Sequence, residues 1–410
     1  MRFITHLTGA LALRECLDEA MTEQREFDIV LFGATGFTGG LTARHLASRA
    51  PADARWALAG RNRAKLEAVR AELAQDFPYL ASLPLLVADS DDAASLRAVA
   101  ESAKVVISTV GPYLLYGEAL VRACAEAGTD YVDLTGEPEF VDRMYVKYHE
   151  TAVASGARLV HSCGFDSIPH DLGALFTVRH LPDGVPLQVR GVVRSNAAFS
   201  GGTFHSAVTA VSRANQMRQA MAARRKVEPR PEGRRSRAKS GKPGRDSVLG
   251  YWLLPLPTID PFVVARSGAA LDDYGPDFIY SHFAGTKTLR YAVGGAAGVS
   301  GITLAAQIKP LREFLKKKVP AGQGPSQGRR DASWFTVDFI GEGGGQQIHT
   351  RVSGGDPGYT DTAKMLAESA LSLAFDDNPT VAGQVTTATA LGDSLLRRLQ
   401  EVGLKFEVVE

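Results

Sequence analysis

The segment Phe27-Asp28-Ile29-Val30-Leu31-Phe32-Gly33-Ala34-Thr35-Gly36-Phe37-Thr38-Gly39 constrains the fold more than any other part of the chain. A short apolar run reads as a buried strand and ends in three glycines spaced G-x-x-G-x-x-G. Apolar residues at helical spacing follow (Leu41, Ala43, Leu46, Ala47). Strand, glycine turn and helix in this order form the phosphate-binding unit of a dinucleotide site. Gly33 is expected to permit the tight turn, Gly36 the approach of backbone to pyrophosphate, and Gly39 the packing of helix on strand. The free N–H groups and positive dipole end of the helix would face the phosphates. Gly33, Thr35, Gly36, Phe37, Thr38 and Gly39 are therefore candidate cofactor-binding residues. An ordinary βα turn without ligand is the alternative.

The next strand sharpens the expectation. Trp56-Ala57-Leu58-Ala59 leads into Gly60-Arg61-Asn62-Arg63. An NAD site places an acid here for the ribose 2′-OH, whereas this chain has Arg61, whose guanidinium fork suits a 2′-phosphate. NADP(H) is thus favoured over NAD(H). Further strands are expected at 84–89, 104–110, 131–134 and 157–161, alternating with helices at 64–77, 93–100, 116–127 and 139–155. That alternation predicts an α/β fold, a Rossmann-type doubly wound parallel sheet over 26–180. Ligands bind such sheets at the carboxyl ends of the strands. This marks Asp89-Ser90, Thr109 to Tyr113 and Ser162 to His170, and adds Asp89, Thr109, Val110, Gly111 and Pro112 to the cofactor candidates.

Beyond residue 185 the pattern changes. Strands are expected at 187–194 and 262–266, a hairpin at 333–340 and 346–353, and a long helix at 203–223. These make 181–360 a second α+β domain with a more antiparallel sheet, and 361–410 helices that pack back near the first. The chain has 410 residues and net charge +1, which gives no general affinity for nucleic acid. Ten Lys/Arg against two Glu crowd into 224–245, predicting a mobile, solvated basic loop. Three scattered cysteines and no metal-ligand spacing point to a reducing cytoplasm and no metal site. Residues 1–25 read as a poorly ordered extension, with Met21 an alternative start. Tyr291 to Ile308 holds no charged residue in 18 positions and is followed by Lys309, Arg312 and Lys316-Lys317-Lys318. It reads as a buried core element, an apolar surface meeting lipid or a long acyl chain, or a membrane span.

The glycine turn, Ala59-Gly60-Arg61, Thr109-Val110-Gly111-Pro112-Tyr113, Gly128-Thr129-Asp130-Tyr131-Val132-Asp133-Leu134-Thr135-Gly136-Glu137 and Cys163-Gly164-Phe165-Asp166-Ser167-Ile168-Pro169 together resemble the saccharopine dehydrogenase-like oxidoreductases. Within that group the chain is most similar to the trans-acting enoyl reductases of bacterial lipid assembly. The resemblance implies an NADP-binding domain, a second domain for substrate and dimer contacts, and reduction of a carbon–carbon double bond in a lipid or polyketide intermediate. It also implies an acyl partner, carrier-bound or free, and a homodimer, in the cytoplasm or at the membrane periphery. The alternatives are a relative acting on another substrate and a non-catalytic NADP-binding, lipid-associated protein.

Enoyl reduction needs a donor near the developing enolate oxygen and a proton for the α-carbon. Tyr113, Asp166 and His170 are the catalytic candidates, with Glu137 nearby after the fifth strand. Each has a structural alternative: Tyr113 covering the cofactor, Asp166 capping the helix at Pro169, Glu137 pairing with an arginine. Short-chain dehydrogenases carry Tyr-x-x-x-Lys, and none of the eleven tyrosines has Lys four residues on, which argues against that class.

Overall fold

The computed structural model describes residues 25–197, 208–209, 211–318 and 324–409. The expected N-terminal extension, apart from Arg25, and the first part of the helix expected at 203–223 lie outside them. Seven strands form a parallel sheet: β1 (Phe27–Phe32), β2 (Trp56–Gly60), β3 (Leu85–Val87), β4 (Ala103–Ser108), β5 (Asp130–Asp133), β6 (Arg158–Val160) and, from near the C-terminus, β14 (Gly383–Val385). Their order is β14-β6-β5-β4-β1-β2-β3. Strands β1 and β2 are buried along their whole length, which is why they read as continuous apolar runs rather than alternating ones. Leu31 pairs in register with Leu58 on one side and Ile107 on the other. The order reverses between β1 and β4, so a ligand crevice is expected at their carboxyl ends.

The helices of this layer are α1 (Phe37–Arg49), α2 (Arg63–Asp76), α3 (Ala93–Ser102), α4 (Glu118–Ala127), α5 (Pro138–Ser155) and α6 (Ile168–Val178). A second sheet of eight strands is mixed and mostly antiparallel: β7 (Leu187–Ser195), β8 (Arg235–Ala238), β9 (Gly244–Arg245), β10 (Trp252–Pro255), β11 (Asp277–Thr286), β12 (Phe335–Gly343), β13 (Gln346–Gly354) and β15 (Lys405–Val408). The hairpin expected around Gly343 is β12–β13, with Val337 opposite Val352. Helix α6 packs on β7, β12 and β13 of the second sheet. It is buried nearly all round, and a Cβ on Gly173 would lie 2.4 Å from the Phe339 ring. One apolar cluster joins Leu31, Ile107 and Val132 of the first sheet to Leu172 and Leu175 of α6, Phe339 and Val352 of the second sheet, and Met365 further on.

Four expectations change. Residues 262–266 are not a strand but lie in helix α8 (Asp260–Ala270), which starts on Pro261 and buries Val263, Val264, Ser267 and Gly268 on one helical face. Residues 224–245 are not a continuous loop. Arg224 lies in the last turn of helix α7 (Ala214–Val227), is buried, and bonds Asp142 and Glu228, while Arg234 and Arg237 meet Asp272 and Asp277. Local composition counted the cations but not the acids brought in from distant segments.

The charge-free stretch forms helix α9 (Leu289–Gln307), leading to α10 (Lys309–Lys318). It is not a core element, because Leu289, Tyr291, Val293 and Leu304 are exposed. Nor is it a span, since no helix among the described residues is long and apolar enough to cross a membrane. Lastly, the C-terminal region does more than pack back as helices. After α12 (Thr360–Phe375) it adds β14 to the first sheet, then α13 (Gly392–Glu401), then β15 to the second.

The β1–α1 contact can be probed directly. A Cβ on Gly39 would lie 2.2 Å from the Gly33 carbonyl oxygen, while one on Gly40 meets nothing within 4 Å. Gly39→Ala is expected to cost about 1–3 kcal/mol in urea unfolding, and Gly40→Ala to be neutral or to stabilise by up to about 1 kcal/mol. Equal stabilities for the two variants would contradict the tight contact.

Candidate functional site

The turn after β1 is shaped by close contacts. Gly33 has φ +93°, and a Cβ there would lie 2.5 Å from Thr109 Oγ1 and 2.8 Å from Val110 Cγ2. Thr109 fastens the two strand ends together: its hydroxyl donates to Gly33 O at 3.0 Å and its N–H to Phe32 O at 3.0 Å. Gly36 is different. A Cβ there would only touch Gly33 O at 3.4 Å, so the fold itself leaves room for a side chain. What glycine provides at 36 is bare backbone at the start of α1. No side chain caps that end, and no acid stands in its first turn. The N–H groups and the positive dipole end therefore remain for an anion. Thr35 is exposed beside Gly36, Phe37 and Thr38 are half-buried, and Thr38 O accepts from Thr42 Oγ1.

Arg61 stands exposed at the end of β2. Arg63 is paired with Glu67 at 3.2 Å, whereas Arg61 has no ion-pair partner among the described residues. Asn62 caps α2 through Lys65 N, so Arg61 is held at the very start of that helix. Asp89 follows β3 and its Oδ1 accepts from Asp91 N at 3.1 Å, shaping the local turn. Gly111 is exposed and Pro112 half-buried on the loop after β4. A glycine cradle that excludes Cβ atoms, an uncapped helix start and an unpaired guanidinium at the second strand fit a dinucleotide with a 2′-phosphate.

Tyr113 is placed otherwise than a proton donor would be. It is 6% exposed, its hydroxyl donates to Ser108 O at 2.9 Å and accepts from Leu134 N at 3.1 Å. Burial, then the Asp133 charge, push its pKa well above the ordinary tyrosine value. Both hydrogen-bonding roles are taken by main chain, so it braces the β4 and β5 loops. Glu137 completes that brace, accepting from Tyr113 N at 3.2 Å and Leu114 N at 2.9 Å.

Asp166 and His170 sit together on the loop after β6 and the first turn of α6. That loop is strained: Ser162 has φ +62° and Ser167 φ +146°, in backbone regions that non-glycine residues rarely adopt. The fold holds the strain through Asp133, whose Oδ1 accepts from Ser162 N at 2.9 Å and whose Oδ2 meets His161 Nδ1 at 2.7 Å. His170 Nδ1 stands 2.8 Å from Asp260 Oδ1, and His282 Nε2 lies 3.8 Å from Asp260 Oδ2. The two imidazoles meet edge to face at 4.7 Å, and Tyr280 Oη lies 3.3 Å from His282 Nδ1. Buried His170 Nε2 has no hydrogen-bond partner among the described residues.

Asp166 is partly accessible to solvent, beside Gly136, where a Cβ would come 3.1 Å from Asp166 Oδ2. Desolvation by the surrounding protein, then the Asp260 charge, push its carboxyl up to about 7. Asp260 titrates below the usual carboxylate range because the adjacent His170 outweighs the cost of burial, and burial lowers His282 to about 3. Sequence reasoning did not find Asp260 or His282. Each is a lone residue on α8 or β11, with no spacing that ties it to the β6 loop.

A raised carboxyl pKa has a definite sign in stability. Between about pH 4 and 7 the folded protein binds the Asp166 proton while the unfolded chain has released it, so this residue's contribution to stability falls as pH rises through that window. Asp166→Asn removes that fall. The variant's stability relative to the parent is expected to grow from pH 4 to 7 and to level off above, read by urea unfolding at each pH. A flat difference from pH 4 to 7 would contradict a raised Asp166 pKa.

Comparisons with known proteins agree with this geometry. Residues 29–160 match the saccharopine dehydrogenase NADP binding domain. A Mycobacterium tuberculosis protein named as a trans-acting enoyl reductase is 39% identical over 415 residues, covering 93% of this chain and 97% of that one. The trans-acting enoyl reductase of Mycobacterium ulcerans is 36% identical over 414 residues, with the same coverage of 93% and 97%. Among solved structures, saccharopine dehydrogenase (L-Glu forming) from Saccharomyces cerevisiae superposes with a TM-score of 0.54 over 94% of this chain and 100% of that chain. At 12% identity it shows the shared fold alone. With a relative at 39% identity across nearly its whole length, the chain belongs to the trans-acting enoyl reductase family of saccharopine dehydrogenase-like proteins.

Proposed function

We propose that the protein is an NADPH-dependent enoyl reductase acting on the carbon–carbon double bond of an acyl lipid or polyketide intermediate. The observation that carries this reading is the pairing of an NADP-binding glycine cradle with the Asp166 cluster at the carboxyl end of the same sheet. When bound, NADPH supplies the hydride that adds to the β-carbon of the activated alkene. The rest falls to the protein. Gly33, Thr35, Gly36, Phe37, Thr38 and Gly39 would hold the pyrophosphate, with Arg61 on the 2′-phosphate. Asp89, Thr109, Val110, Gly111 and Pro112 would line the crevice. Asp166, protonated near neutral pH, is suited to deliver the proton that completes the reduction, at the α-carbon or the carbonyl oxygen. His170, held by Asp260, is positioned next to it. Tyr113 keeps the loops in place.

Finer partner readings rest on separate observations. Helix α9 presents exposed Tyr291, Val293 and Leu304, and α10 adds exposed Leu311 and Phe314 next to Lys309. Apolar side chains beside cations suit a peripheral contact with an anionic membrane, where a lipid substrate would be met. A carrier-bound substrate and a homodimer follow from the family resemblance.

A fluorescence titration tests the cofactor reading. NADPH is expected to bind more tightly than NADH, and Gly36→Asp to abolish both by filling the cradle with a negative charge. Arg61→Ala is expected to weaken NADPH by about 1–3 kcal/mol, as for a charge-assisted contact, while leaving NADH nearly unchanged. Equal losses for the two cofactors would remove the 2′-phosphate role. Asp166→Asn is expected to lower kcat about a hundredfold or more without changing NADPH affinity. An unchanged kcat would assign the proton elsewhere.

A further inference from the structure

The segment from Gly324 to Arg330 lies directly on the glycine turn. Gly324 packs so closely on Phe37 that a Cβ would sit 2.1 Å from its ring. The Arg330 guanidinium stacks over the same ring, 5.3 Å from its centroid. Tyr359 closes another side of Phe37 edge-on at 5.0 Å. Phe37 is the first residue of α1, immediately after Gly36. These contacts bring a guanidinium, carried on the short helix α11 (Gln327–Asp331), to the uncapped start of α1.

That placement is electrostatically unfavourable as it stands, because a cation at a helix N-terminus meets the positive end of the dipole. The ring face of Phe37 offsets part of that cost. Arg330 pairs with no carboxylate among the described residues, and its Nε is buried without a hydrogen-bond partner. Only Nη1 is engaged, donating to Pro325 O at 2.9 Å, which holds the arm from behind. A guanidinium stacked on the first residue of an uncapped helix start, with a buried donor that has no acceptor among the described residues, suits an anion bound beside it. Phosphate is the geometry that a guanidinium fork fits.

We propose that Arg330 binds the cofactor's pyrophosphate, so that residues 324–330 clasp the dinucleotide onto the glycine turn. This rests on the NADP(H) reading and extends it to a residue far from the nucleotide-binding domain. It separates the two arginines by function. Arg61 reads the 2′-phosphate, which only NADP(H) carries, whereas Arg330 reads the pyrophosphate common to NADPH and NADH.

The test is a set of equilibrium titrations with NADPH, NADH and adenosine 2′-monophosphate, on the full chain and on Arg330→Ala, Arg330→Gln, Arg329→Ala and Arg61→Ala. Arg330→Gln keeps much of the stem and guards against misfolding, and thermal melts check every variant. Arg330→Ala and Arg330→Gln are expected to weaken NADPH and NADH by the same factor, tenfold or more, and to leave adenosine 2′-monophosphate unchanged, since it has no pyrophosphate. Arg61→Ala is expected to weaken NADPH and adenosine 2′-monophosphate while sparing NADH, and exposed Arg329→Ala to change none of the three. Unchanged affinity for both dinucleotides in the Arg330 variants, or a loss confined to NADPH, would overturn the clasp while leaving the cofactor reading intact. Failure of the parent protein to bind either dinucleotide would overturn both.

Discussion

The contact between the Gly33 carbonyl and the Gly39 Cα is the constraint on which the rest of the structure depends. No side chain fits between them, so α1 is fixed against the end of β1. Thr109 then ties the β4 loop to the same carbonyl. With β1 and β4 locked at the point where the sheet order reverses, the positions of Gly36, Arg61 and the Thr109–Pro112 loop follow. The bare start of α1 is thereby aimed along the crevice rather than closed by a cap of its own.

The other half of the site is set by α6. Because that helix follows β6 of the first sheet and packs on β7, β12 and β13 of the second, its first turn cannot shift without disturbing its neighbours. Asp171, one residue after His170, anchors it further, accepting from Ser267 Oγ at 2.6 Å, Thr387 Oγ1 at 2.7 Å and Ala388 N at 2.8 Å. Those partners lie on α8 and near the C-terminus. The Asp166–His170 loop is therefore held by segments from across the chain, and its backbone strain is sustained by that surrounding structure. A rigid loop of this kind suits proton delivery, where small displacements are costly.

The first sheet was largely legible in the sequence because its signals are local. Apolar runs, glycine stops such as Gly128 after α4, and βα spacing all act within about 30 residues. The cofactor candidates came from the same local logic. The second sheet was less legible. Val263-Val264 suggested a strand through their β-branching, yet Pro261 and the packing of one face on β8 and β11 make a helix. Strand β14 is three residues long and exists only because β6 offers an edge. Asp260, His282 and Arg330 gain their chemical meaning from neighbours 90 or more residues away in sequence, which no local pattern encodes. Likewise, Tyr113 follows a strand as a catalytic tyrosine would, and only the structure shows its hydroxyl engaged by main chain.

The central claim is that this site moves a hydride to carbon in an activated alkene. NADPH deuterated at the transferred position of C4, incubated with the protein and an α,β-unsaturated acyl thioester, tests it most directly. Mass spectrometry of the product is predicted to show one deuterium at the β-carbon and a solvent-derived proton at the α-carbon. Deuterium on the carbonyl carbon, or none in the product while NADPH is bound, would contradict enoyl reduction.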